Sequence, residues 1–266
     1  MSDSQQDGDY RDYVSIEALY DLALKKAGGY GYYQRLVTFI VVSGYALMGA
    51  VIYGLLFFLL FPRYECLVEG TTDQYEKCGR SDICDGGHAV RKYKLNYDEK
   101  YTLHNWVEQM DLTCVRNGKI AWLASTFLLV QSISYLLTPL LIKAINIKNA
   151  WLLLAFIQFV AYLIFLFVKD INLALFITVI YGVSGSRCAF SYTYLAQLVP
   201  ESHLSFVSML YTGCDTLTIL VQSVYFWQVS HYYEHYMVYL IVMSGVIVVL
   251  GTIFLVEPPI SLLLRG

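Results

Sequence analysis

Charge is scarce in this sequence. Asp, Glu, Lys and Arg make up 15% of 266 residues, against about 25% in soluble domains, which excludes a disordered chain, a coiled coil and an ordinary cytosolic enzyme. A basic surplus is missing too: 18 Lys and Arg stand against 21 Asp and Glu, for a formal charge of −3, so no nucleic-acid partner is expected. Met1–Tyr13 has no apolar core and carries Asp3, Asp7, Asp9 and Asp12, which argues against a secretory signal and against an Arg-rich transit peptide. There is no Ser/His/Asp grouping, phosphate-cradling glycine loop or paired carboxylate pocket, so the reading is not an enzyme, with no catalytic residue, cofactor or metal.

What is abundant points to a membrane. The chain is 57% hydrophobic with a mean hydropathy of +0.52, and its 24 tyrosines suit the aromatic belts of bilayer interfaces. Six stretches reach the roughly 20 apolar residues that cross about 30 Å of hydrocarbon: Leu36–Phe61, Ile120–Ile142, Ala150–Val168, Asn172–Val199, Phe206–Val229 and Val238–Val256. The fold class expected is an all-α membrane protein. Residues 1–34 form an N-terminal segment and 35–266 a six-helix domain, with a large outer loop over 62–119. Ser15–Ala27 places Ile16, Leu19, Tyr20, Ala23 and Leu24 at helical spacing behind a Ser15 cap, with Gly28-Gly29 to end the helix. It reads as an amphipathic helix on the inner surface.

Basic residues set the orientation. Arg11, Lys25, Lys26, Arg35, Lys143, Lys148 and Arg265 flank the spans on one side, whereas the opposite short links hold only Lys169. Both termini are therefore expected on the inner side; the long Pro62–Lys119 segment is translocated regardless of its charge. Cys66, Cys78, Cys84 and Cys114 fall in that outer segment. An even set there suggests two disulfides, with three pairings open. Zinc is the rival reading, disfavoured because no close Cys-x-x-Cys pair occurs. None of Asn96, Asn105 and Asn117 begins an Asn-x-Ser/Thr acceptor.

In this order the features resemble the N-terminal half of an organic cation/anion transporter of the major facilitator superfamily. The leader YDLALKKAGGYGYYQR (Tyr20–Arg35), NWVEQMDLTC (Asn105–Cys114), YLAQLVP (Tyr194–Pro200) and LVEPPISLLLRG (Leu255–Gly266) carry the likeness. The resemblance implies a solute path near the membrane midplane between two six-helix halves. It also implies inner-face charges that latch and release. Thr138–Lys148 lacks the Gly-x-x-x-Asp-Arg-x-Gly-Arg-Arg pattern, Gln197 stands where the family has an acid, and Ile260-Ser261 replaces Arg-Trp, although Glu257 remains.

Arg187 and Asp215 lie near the middle of the fourth and fifth spans, where an unpaired charge is costly. They define stripes with Ser184 and Ser191 on one helix and with Ser208, Thr212, Thr218 and Gln222 on the other, while Gln131, Ser134 and Thr138 mark the second span. Arg187, Asp215, Gln131 and Gln222 are thus candidates for a charge pair or a solute path. Opposite signs at similar depth favour a salt bridge. The polar face of spans 2, 4 and 5 is expected to meet protein, with lipid around the rest. Two functions compete. One is a structural or accessory subunit of a larger membrane assembly, derived from a half-carrier; its membrane would be the mitochondrial inner membrane. The other is an organic-ion or small-solute carrier working as a homodimer of halves, with the plasma membrane as the alternative site. A receptor built on the disulfide-bonded loop has only that loop in its favour.

Overall fold

A backbone in hydrocarbon must satisfy its own N–H and C=O groups, so each apolar stretch becomes a helix. The computed structural model describes residues 20–26, 28–68, 74–85, 90–99 and 101–258. Its long helices are span 1 (Tyr32–Phe58), span 2 (Asn117–Ile145), span 3 (Ile147–Phe167), span 4 (Ile171–Ala196), span 5 (Glu201–Val229) and span 6 (Tyr233–Phe254).

Where these bounds depart from expectation, local chemistry explains the change. Span 1 ends at Phe58 rather than Phe61, and the Asn105 amide takes up its terminal carbonyls, donating to Phe57 O at 2.9 Å and Leu60 O at 2.7 Å. Span 2 continues through Pro139 to Ile145, leaving one residue, Asn146, as its link to span 3. Asn146 has a φ of 71°, which asparagine tolerates better than a branched residue. Span 4 is broken at Ser186. There the Ser184 and Ser186 hydroxyls donate back to the Tyr181 and Val183 carbonyls and tighten the turn.

Spans 1 and 4 form the interior; spans 2 and 5 are the least buried. Span 1 packs on spans 5 and 6, span 4 on spans 2 and 3, and span 3 on span 6. Glycine allows the span 2–span 4 crossing to close: a Cβ on Gly182 would stand 2.9 Å from Val130 Cβ and 3.1 Å from Phe127 O. Gly182 and Gly185, read from the sequence as close-packing positions, have that role here.

One end of the bundle is stitched by side chains capping helix ends. The Tyr20 hydroxyl donates to Gln197 O at 2.7 Å, and Glu201 N–H to the Asp21 carboxylate at 3.0 Å. Tyr33 and Tyr194 donate to the carbonyls of Phe254 and Val256, and Lys148 N–H donates to Glu257. Residues 20–26 are helical, and Gly28 and Gly29, at φ of +114° and +61°, end the helix as expected. Residues 15–19, Ala27, Arg11, His88, Ile260-Ser261 and Arg265 lie outside the described residues.

The opposite end carries the loop over 62–119. It holds an element absent from the all-helical expectation: a three-stranded antiparallel sheet of β1 (Tyr64–Val68), β2 (Glu76–Cys78) and β3 (Val90–Leu95), in the order β2-β1-β3. Disulfides Cys66–Cys78 and Cys84–Cys114 choose one pairing among the three. The first joins β1 to β2; the second ties a short helix to the chain just before span 2. The Arg80 guanidinium clamps that chain, donating to Thr113 O at 2.5 Å and also to Val115 O and Asn117 Oδ1. His104, stacked between Tyr97 and Tyr232 at 4.0 and 4.2 Å, fastens the loop to the link between spans 5 and 6. Burial, with the Glu108 carboxylate alongside, pushes the Tyr97 phenol up.

Candidate functional site

The four candidate intramembrane residues separate into two environments. Arg187, at 2% exposure, sits just after the break in span 4 and points inward. Its Nη2 donates to Gly44 O at 2.6 Å and Gln158 Oε1 at 2.5 Å, and its guanidinium lies 4.8 Å from the Trp151 ring centroid. Among the described residues it forms no ion pair with Asp215. The salt bridge expected from their opposite signs is therefore corrected. Depth matched, but Arg187 faces spans 1 and 3 instead of span 5. Cation–π and carbonyl contacts solvate its charge in place of a carboxylate.

The network continues from Arg187. Gln158 Nε2 donates to the Tyr162 hydroxyl, which donates to Leu47 O, while the Tyr181 hydroxyl donates to Met48 O. Trp151 Nε1 donates to Ser191 Oγ. Side chains of spans 3 and 4 thus bond the carbonyls of span 1. Gln222, fully buried, does the same from span 5, donating to Ala50 O at 2.6 Å. Arg187 and Gln222 are buried and tie spans 3, 4 and 5 to span 1.

Asp215 and Gln131 are less enclosed. The half-buried Asp215 accepts from the Tyr53 hydroxyl at 2.7 Å, and Tyr45 stands beside the same carboxylate. The Tyr45 ring stacks on Tyr211 at 4.0 Å, and Tyr192 approaches Tyr211 at 6.3 Å. Gln131 donates to the exposed Tyr135 hydroxyl at 2.6 Å. The result is a carboxylate surrounded by phenols on the face shared by spans 1, 2, 4 and 5. It can hold a cation by charge and ring faces, or hydrogen-bond donors from a neighbouring helix.

The tyrosines were not among the candidate residues. Their signal was present: Tyr45, Gly49 and Tyr53 recur at four-residue spacing, one stripe of span 1. Gly49 in its middle is where Asp215 fits, since a Cβ there would collide with the carboxylate.

No curated protein matches the chain. Residues 35–266 match the family described as sugar (and other) transporter. The match takes in nearly all of the six-helix bundle, and the chain accordingly belongs to this major facilitator family of membrane transporters.

Proposed function

We propose that this chain serves as a non-catalytic structural or accessory subunit of a larger membrane complex, a major facilitator six-helix unit in which switching has been replaced by fixed capping. The observation that carries the reading is the stitched end of the bundle. A latch needs charged groups for which two states compete. Here Asp21 caps span 5, Glu257 caps span 3, and tyrosine hydroxyls cap the ends of spans 4 and 6. All of these bonds lie within the one six-helix unit. In this reading the phenol-rich face around Asp215 and Gln131 packs against neighbouring subunits. The mitochondrial inner membrane is the proposed site, with both termini on its inner side; the loop, disulfide-bonded and free of glycosylation acceptors, suits that compartment.

A second reading rests on a separate observation. A tyrosine-flanked carboxylate at mid-span suits an organic cation, which would make the protein a carrier. Gentle solubilisation, native size determination and mass spectrometry of whatever comigrates distinguish the two. Stable comigration with a large complex is the expected result. Migration as a lone dimer, with uptake after reconstitution, overturns it.

A further inference from the structure

Spans 5 and 6 both pack against span 1 and leave a groove between them, floored by span 1. Its deeper part runs between Ser43, Ala50, Leu217, Val221, Leu240 and Met243. Its mouth is a cavity of about 570 Å³ at the stitched end, where Phe39, Val42, Phe206 and Leu210 form the walls. The two parts share Ser43 and Cys214. From Arg35 to Ala46 the floor descends eleven residues, about 16 Å at helical rise, which matches about 15 Å for one leaflet of hydrocarbon.

The mouth differs from the walls. Arg35 and His203 line it together with Tyr30, whose ring stacks on His203 at 5.1 Å and lies under the Arg35 guanidinium at 5.8 Å. Among the described residues Arg35 has no carboxylate partner. A second, independent feature sits one turn deeper. Thr38 lines the same cavity at 3% exposure, and its hydroxyl has no hydrogen-bond partner. A buried hydroxyl left unpaired is costly. An acceptor about 4.5 Å below the Arg35 level would satisfy it.

We propose that this groove is a binding site for one anionic phospholipid. The headgroup phosphate lies against Arg35 and His203, an ester carbonyl accepts from Thr38, and an acyl chain follows the groove toward Met243. A free phosphate fits only the mouth and leaves the apolar walls uncovered, so the occupant is the lipid.

The test uses the full chain in detergent, with phosphatidylglycerol or phosphatidylcholine added and retention read by native mass spectrometry. Phosphatidylglycerol should be retained about fivefold or more over phosphatidylcholine. The doubly substituted Arg35→Gln, His203→Gln protein should lose that preference while keeping its thermal unfolding midpoint. Ser43→Trp plugs the groove but keeps Arg35 and His203, and should reduce retention of long-chain phosphatidylglycerol without restoring phosphatidylcholine. Equal retention of the two lipids by the unmodified chain would overturn the proposal, as would a preference that survives both variants. Displacement of phosphatidylglycerol by inorganic phosphate would also overturn it, by showing that the site recognises a soluble anion.

Discussion

Arg187 and Asp215 look alike in the sequence, each a lone charge near mid-span, yet they live in opposite surroundings. Arg187 is sealed among Gly44, Trp151 and Gln158, each on another span. Asp215, only half-buried, meets Tyr53 and Tyr45 of span 1. The contrast teaches that an intramembrane charge is not by itself a functional mark. What separates the two is enclosure: Arg187 is 2% exposed, whereas Asp215 is only half-buried.

Removing the sealed charge should have the largest effect. Arg187→Met deletes two charge-assisted hydrogen bonds and a cation–π contact, and leaves the Gln158 carbonyl oxygen without its donor. Each charge-assisted bond contributes about 1.5–3 kcal/mol, so a loss of at least about 3 kcal/mol is expected, read as a lower denaturation midpoint in detergent. A change under about 1 kcal/mol would mean that the interior is less committed to Arg187 than its contacts indicate.

Two glycines on span 1 sharpen the same contrast. A Cβ on Gly44 would stand 3.1 Å from the Trp151 ring, a fully buried indole with no room to retreat. Overpacking of this kind costs about 1–3 kcal/mol, so Gly44→Ala should destabilise by that amount. A Cβ on Gly49 meets the Asp215 carboxylate and the Tyr53 ring, but Asp215 can swing toward the open face. Gly49→Ala should therefore cost less than Gly44→Ala, the change being confined to loss of the Tyr53–Asp215 hydrogen bond. If the two costs came out equal, the distinction between sealed and open sides would fail.

How much of this could be read beforehand follows from what a sequence encodes. The six spans were legible because hydropathy over about 20 residues is a strong signal, and Gly28-Gly29 was legible because positive φ favours glycine. The Arg187–Asp215 pairing was misread because residue spacing gives depth along a helix axis but not the direction the helix turns toward its neighbours. Disulfide pairing stayed open, since four cysteines admit three solutions until β1 brings Cys66 beside Cys78. The sheet itself escaped because strands of three to six residues carry little periodicity. Asn105 drew no structural expectation; its task, capping span 1 from 45 residues away, is a tertiary contact.

On the open side, the informative substitution is Asp215→Asn. The amide oxygen still accepts from Tyr53, so stability should change by less than about 1 kcal/mol. An accessory subunit should then show altered association with its neighbours, measured as the fraction of chain migrating with the large complex. A carrier should lose uptake of an organic cation about tenfold or more, with assembly intact, since removing one buried charge partner is worth that much. The two readings thus predict changes in different measurements.

The smallest effect belongs to a carboxylate outside the bundle interior. Asp21 joins residues 20–26 to the start of span 5, accepting from Glu201 N–H and pairing with Lys25 at 2.6 Å. The Lys25 hydrogen bond, followed by that of the Glu201 amide, holds its carboxyl below the usual carboxylate range. A depressed folded-state value means that the contribution is present above the unfolded value and is lost as pH falls through the folded one. The docked segment should therefore loosen only below about pH 4. Protection of the Glu201 amide from hydrogen exchange, corrected for intrinsic rate, measures this directly. Asp21→Asn should lower protection at neutral pH, and the difference from the unmodified protein should vanish once the pH has fallen through the depressed Asp21 value, where both carry a neutral side chain. Persistence of the difference in acid would mean that Asp21 acts through its shape and not its charge. The cap would then resemble the sealed contacts around Arg187 more than the half-buried setting of Asp215.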